Sequence, residues 1–229
     1  MPRKPRYYLP DVPVHVVHRG HNRDVVFFDD ADFSAYLSWL QEASVEQGCA
    51  IHAYVLMNNH VHFLLTPSDQ YAIGRMIQQV NRHFGPYMRY EYGSTGSLWE
   101  GRYKASLVDD EAYLLTCMRY IELNPVRADM VKSPAHYRWS SYRANAQGKS
   151  DSLITQHKQY LSLGRTATSR LQAYKGLFAS HFDQGELDTI NRAWQTGMPL
   201  GNDNFKEKIE KKLNVKLGHA KQGRPCKIN

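Results

Sequence analysis

A chain of 229 residues, 42% of them hydrophobic, is long enough to bury a full core and to carry an appendage. No apolar run approaches the roughly 20 residues that span a bilayer, and Met1-Pro2-Arg3-Lys4-Pro5-Arg6 lacks the apolar stretch of a signal peptide, so a soluble cytoplasmic protein is expected. Its 29 Lys and Arg against 22 Asp and Glu give a formal charge of +7 and favour polyanionic partners, while the three cysteines Cys49, Cys117 and Cys226 lack the paired spacing of a disulfide framework or a zinc knuckle.

In chain order, residues 13–18 read as a strand, and Arg19-Gly20-His21-Asn22-Arg23 as a basic turn. Residues 30–47 carry Tyr36, Leu37, Leu40 and Ala43 at helical spacing, with Gly48 placed to close the helix. Two apolar runs, 50–56 and 60–66, meet at Met57-Asn58-Asn59 and predict a hairpin. Ile73, Met76, Ile77, Val80 and Phe84 form the apolar face of a second helix, which Gly85-Pro86 is expected to kink or end. Residues 104–108 predict a short strand. Asp109-Asp110 then precede a helix starting near Glu111 and disturbed near Asn124, because Pro125 disfavours helical geometry before it. This order predicts an α+β fold, the ferredoxin-like split βαβ antiparallel sheet with helices on one side, plus an extra helix carrying Tyr120. The polar stretch 144–152 marks a boundary between a domain of residues 1–148 and a helical C-terminal extension, 149–229. Helices are expected there over 168–181, 186–196 and 204–213. From Lys211 to Asn229 there are six basic residues and no acid, and Gln222-Gly223-Arg224-Pro225 holds a Gly-Arg-Pro core similar to that of the AT-hook. A solvated, solubilising tail is the other reading.

The most informative motif is His60-Val61-His62. A strand sends alternate side chains to one face, so the two imidazoles project together while Val61 and Phe63 point to the core. Two histidines on a strand are also a common structural pair. Tyr120 and Asn124, four apart, fall one above the other on a helix. Two imidazoles and an amide would hold a divalent cation, Mg²⁺ or Mn²⁺, without cancelling its charge, which suits Lewis-acid chemistry at a phosphate. An ordinary phenol, with a pKa of about 10, is only about one part in a thousand ionised at neutral pH, so a tyrosine nucleophile needs assistance. The alternative is that Tyr113, Cys117, Tyr120 and Asn124 form one inward stripe, with Tyr120 buried and hydrogen-bonded.

Four segments together resemble the single-tyrosine HUH transposases and are most similar to the REP-associated tyrosine transposases of bacterial chromosomes. They are Asn59-His60-Val61-His62-Phe63-Leu64, Gly101-Arg102-Tyr103-Lys104-Ala105, Tyr120-Ile121-Glu122-Leu123-Asn124-Pro125-Val126-Arg127-Ala128 and Trp139-Ser140-Ser141-Tyr142. The similarity runs from about Tyr7 to Arg143, and Leu200-Gly201-Asn202-Asp203-Asn204-Phe205 resembles the longer members. The resemblance implies an HUH endonuclease core in which His60, His62 and Asn124 bind Mg²⁺ or Mn²⁺ and Tyr120 is the nucleophile. It implies cleavage of single-stranded DNA through a 5′-phosphotyrosine with rejoining, the substrate being a repetitive extragenic palindrome, a hairpin with a single-stranded foot. A monomer or homodimer near the bacterial nucleoid, with no membrane partner, is expected. The candidate DNA-contacting residues are Arg19, Arg23, Arg75, Arg82, Arg102, Tyr103, Lys104, Arg127 and Arg224. The same core would serve a replication initiator or a relaxase, and a non-cutting DNA-binding regulator is the reading of another class.

Overall fold

The apolar alternation of the first strand sets up the whole sheet. In the computed structural model, which describes residues 8–217, β1 (Val14–Arg19) turns Val14, Val16 and His18 to one side and His15, Val17 and Arg19 to the other. The chain continues through α1 (Asp30–Glu46), β2 (Cys49–Met57), β3 (His60–Pro67), α2 (Ala72–Tyr92) and β4 (Lys104–Leu107). The four strands lie in the order β2-β3-β1-β4 with every neighbouring pair antiparallel, the expected split βαβ arrangement. Register places Val16 opposite Phe63 and Arg19 opposite His60, so faces match along the sheet.

One face is packed by α1 and α2. Tyr36, fully buried, stands edge-on to Phe84 at 5.0 Å and over Phe63 at 6.5 Å. Asp32 fixes the start of this layer: its buried carboxylate accepts from the Phe28 and Asp29 amides and from the hydroxyls of Tyr87 and Tyr92 on α2. Of the two outcomes expected at Gly85-Pro86, a kink or an end, the end does not occur: helix α2 continues through Pro86 to Tyr92. Pro86 forfeits one backbone bond, but its ring lies exposed while Val80, Phe84 and Met88 are buried on the inner face, and the packing holds the turns on either side.

The expectation of helices on one side holds for α1 and α2 alone. The other face is covered by α3 (Leu114–Glu122) and, from the C-terminal region, by α8 (Gln184–Thr196), because Val17, Val55 and Leu64 present apolar surface there too. Helix α3 begins three residues later than expected, since the Asp109 carboxylate and carbonyl capture the Glu111 and Tyr113 amides in a preceding turn. It breaks at Leu123, as Pro125 requires, and a short turn α4 (Asn124–Arg127) follows.

The C-terminal region is helical, with α7 (Ala167–Gly176), α8 and α9 (Asp203–Leu213) in place of the three helices expected, the first ending five residues earlier; α5 (Tyr142–Gln147), within the stretch read as a polar boundary, and α6 (Lys158–Leu161) were not anticipated. It joins the sheet edge through backbone bonds from Leu200 to Leu107 and from Asp109 to Leu200. A second junction is the carboxyl of Glu122, which has no exposed surface and accepts from Ser141 Oγ (2.6 Å), Asn145 Nδ2 (2.8 Å) and the Tyr174 hydroxyl (2.8 Å). Burial pushes this carboxyl up to about 7 even against those three donors. Residues 218–229, with Arg224 and the Gly-Arg-Pro core, lie outside the described residues.

Glu122→Ala strands three buried donors at once and is expected to cost more than about 3 kcal/mol, with Tyr174→Phe costing about 1–2 kcal/mol. Urea unfolding of the full chain measures both. An unchanged midpoint for Glu122→Ala would remove this node from the account of the fold.

Candidate active site

The face covered by α3 and α8 gathers the residues that the sequence singled out. His60 and His62 leave β3 on the same side, with ring centroids 5.0 Å apart. The two-residue turn before them is pinned from outside: the Val26 and Phe27 amides donate to the Asn58 carbonyl, the Gly20 amide to that of Asn59, and Asn59 Nδ2 to the Arg23 carbonyl. Neither asparagine needs a positive φ, because these tertiary bonds hold the turn. Asn59 Oδ1 is 2.7 Å from His60 Nδ1, and an amide oxygen can only accept, so Nδ1 carries the proton and Nε2 keeps its lone pair.

His62 meets a partner on the neighbouring strand β1. His62 Nδ1 lies 3.0 Å from Nε2 of the fully buried His15, with the rings stacked at 5.2 Å. The tautomer that donates from His62 Nδ1 to His15 Nε2 frees His62 Nε2 for the cleft, an outer partner of the kind that orients metal-binding histidines. Burial, reinforced by Arg19 and Arg127, pushes His60 down to about 4, and burial together with His60 and His15 drives His62 well below the usual range. Both rings are therefore neutral near pH 7, the state in which imidazole binds a cation.

Tyr120 and Asn124 approach from α3 and α4. Asn124 Nδ2 donates to the Tyr120 and Ile121 carbonyls, both at 3.1 Å, which fixes the rotation of the side-chain amide. Its Oδ1 accepts from Arg127 Nη2 at 2.8 Å and has a second lone pair for another partner. The Arg127 guanidinium also stands 4.0 Å from the Tyr120 ring centroid. Tyr120 is 3% exposed, edge-on to His15 at 5.7 Å and to His62 at 6.0 Å, and its hydroxyl donates to Asn191 Oδ1 of α8 at 2.8 Å. Tyr120 is thus both buried and hydrogen-bonded, as the inward stripe implies, and part of the same cluster as the histidines.

A cleft of about 540 Å³ is lined by His60, His62, Tyr120 and Asn124, by Arg19, and by Asp188, Asn191, Arg192 and Trp194 of α8. Among the described residues no cluster of three His, Cys, Asp or Glu could hold a metal, so a three-donor set depends on the amide. Two neutral imidazoles with their Nδ1 atoms engaged and one oriented amide oxygen fit a divalent cation that retains its full charge.

Of the basic positions, Arg19 lines the cleft, Lys104 lies 5.6 Å from the Trp194 ring beside it, and Arg127 covers Tyr120. Arg23 and Arg102 are exposed on loops. Three others do not belong to the cleft. Tyr103 is buried, at 7% exposure, edge-on to His18, and offers no free ring face for stacking. Arg75 pairs with Asp69 at 2.6 Å and bonds Gln47 on the α1–α2 layer, and Arg82 is exposed on that same layer, across the sheet from the histidines. His15 was within reach of sequence reading through its alternation with Val17 and Arg19; Asn191 and Trp194 carry no local signal.

A family model described as "Transposase IS200 like" matches residues 9–124, ending on Asn124. No curated protein matches the chain. Among solved structures, a REP-associated tyrosine transposase bound to a REP hairpin superposes with a TM-score of 0.53 at 16% identity, over 69% of this chain and 93% of that one. A candidate transposase from Deinococcus radiodurans R1 matches at 20% identity over 56% of this chain and 92% of that one, with a TM-score of 0.34. The segment matched spans half of the 229 residues and contains the histidine pair, the tyrosine and the asparagine, and the chain belongs to the IS200-like transposase family.

Proposed function

We propose that the chain is a metal-dependent endonuclease and strand transferase of single-stranded DNA in which Tyr120 is the nucleophile and His60, His62 and Asn124 hold the cation. The observation that carries this reading is the convergence of one phenol, two neutral imidazoles and one oriented amide on a single cleft flanked by Arg19 and Arg127. Tyr120 Oη attacks the phosphorus of a backbone phosphodiester, the bond from phosphorus to the 3′-oxygen breaks, and the phenolic proton is balanced by the one that the departing 3′-hydroxyl gains. The product is a 5′-phosphotyrosine. One phosphodiester replaces another, so rejoining needs no nucleotide cofactor. Bound Mg²⁺ or Mn²⁺ would supply Lewis-acid polarisation of the phosphate. The chain's own part is to bring Arg127 and Arg19 beside the phosphate and to keep both histidines unprotonated.

The substrate we infer is a hairpin of the repetitive extragenic palindrome type with a single-stranded foot. Family membership supports a DNA substrate, and the fold likeness to a transposase bound to a REP hairpin supports this form of it. Lys104 and Arg23 would then hold backbone phosphates along the strand leading to the cleft.

Tyr120→Phe is expected to reduce covalent protein–DNA product by at least about 10³-fold while hairpin binding stays within about twofold, because only the attacking oxygen is removed. Denaturing gels with labelled hairpin and Mn²⁺ measure the first and mobility shifts the second. A surviving adduct in Tyr120→Phe would assign the chemistry to another residue.

His60→Ala and His62→Ala should each weaken Mn²⁺ binding, followed by calorimetry, by at least about tenfold, and should suppress cleavage in parallel. Asn124→Asp should bind Mn²⁺ more tightly yet cleave more slowly, since a carboxylate neutralises part of the charge offered to the phosphate. Cleavage at the wild-type rate in EDTA would sink the metal requirement.

A further inference from the structure

The family match ends at Asn124, yet the nearest polar contact of the Tyr120 hydroxyl comes from a helix far beyond it. Asn191 Oδ1 accepts that hydroxyl at 2.8 Å and also the Trp194 indole N–H at 3.3 Å, so Tyr120 of α3 and Trp194 of α8 converge on one oxygen. Helix α8 is seated firmly enough to hold this oxygen still. Its N-terminus is closed by a reciprocal capping box between Asp183 and Glu186, and its C-terminus by Gly197 at φ 75°. Ile190, Ala193 and Trp194 are buried beneath it. The Trp194 ring stands edge-on to His62 at 6.3 Å, with Lys104 Nζ at 5.6 Å and the Arg19 guanidinium at 5.8 Å from its centroid.

A phenol has one proton and its lone pairs on the remaining sides of the same oxygen. With the O–H committed to Asn191, those lone pairs remain on the other sides of the oxygen, in a cleft that His60 and His62 also line. An amide oxygen suits this task because it accepts a hydrogen bond without taking the proton or adding a charge beside the phosphate. We infer that Asn191, contributed by the C-terminal region, is a positioning residue that sets the rotation of the Tyr120 hydroxyl for attack and so makes α8 part of the active site. The inference rests on the reading of Tyr120 as the nucleophile.

The test uses the full chain, Mn²⁺, and a hairpin whose single-stranded foot of four nucleotides is randomised, so that no recognition sequence is assumed. Asn191→Leu keeps the volume and removes the acceptor; Asn191→Asp keeps an oxygen in the same place. The expected result is a single-turnover rate of adduct formation lowered by about 10–100-fold in Asn191→Leu, the scale of a misplaced reacting group, with hairpin affinity unchanged and with Asn191→Asp recovering to within about tenfold of wild type. The recovery separates an acceptor from packing, since packing alone would favour the leucine. An Asn191→Leu rate equal to or above wild type, or an Asn191→Asp rate as low as that of leucine, would overturn the inference. Should the leucine variant fail to fold, the aspartate variant against wild type carries the test, and a rate below one tenth of wild type counts against it. Tyr120→Phe is run alongside: an adduct there discards the nucleophile itself, whereas a silent Tyr120→Phe beside an undiminished Asn191→Leu discards only the role of Asn191.

Discussion

The Glu122 carboxyl lies between the two candidate site residues of its segment, two positions after Tyr120 and two before Asn124, and it has no contact with solvent. Such a group is expensive to bury and must be satisfied by its surroundings. Ser141 and Asn145, at the start of and within α5, and Tyr174 on α7 do so, and in doing so they lock the end of α3 against the Trp139-Ser140-Ser141-Tyr142 segment and α7. The helix break at Leu123 occurs right beside this anchor. Tyr120 therefore leaves the last full turn of α3, and Asn124 the turn after the break, with little freedom left in either backbone.

The opposing half of the site is rigid for another reason. His60 and His62 project from a strand with neighbours on both sides, and each Nδ1 is already engaged, by Asn59 and by His15. Water has been largely removed from both rings, which keeps them neutral. A cleft whose tyrosine is anchored through a buried carboxyl and whose histidines are anchored through the sheet would meet the general demand of the proposed phosphoryl-transfer chemistry, that reacting groups be held near their working geometry before substrate arrives. The cations around it are unevenly constrained. Arg127 is held within the Tyr120 half, bonding Asn124 Oδ1 and covering the Tyr120 ring, while Arg23 is exposed on the turn after β1.

Much of this was legible in the residues. The period-two alternation around His60-Val61-His62 placed both imidazoles on one face, the four-residue interval joined Tyr120 to Asn124, and the order of apolar periods yielded the split βαβ sheet. The misses have physical causes. Pro86 breaks a helix only where neighbouring packing is weak, and the burial of Val80, Phe84 and Met88 is a tertiary fact. Tyr103 sits in a basic, aromatic stretch that looks solvent-facing in one dimension, but the β4 edge turns its ring onto His18. Pairing of His15 with His62 depends on the register of β1 against β3. Asn191 stands 71 residues from the hydroxyl it accepts, on a helix whose own pattern marks only an amphipathic surface.

The central claim is that one phenolic oxygen becomes covalently joined to DNA. Trypsin cleaves after Arg119 and Arg127, releasing peptide 120–127, in which Tyr120 is the single tyrosine. Incubating the full chain with the randomised-foot hairpin and Mn²⁺, digesting with nuclease and trypsin, and sequencing the peptides by mass spectrometry locates the attachment directly. The account predicts a nucleotide phosphate on Tyr120 of that peptide and none when EDTA replaces Mn²⁺. Attachment to any other residue, or an adduct indifferent to EDTA, would contradict it.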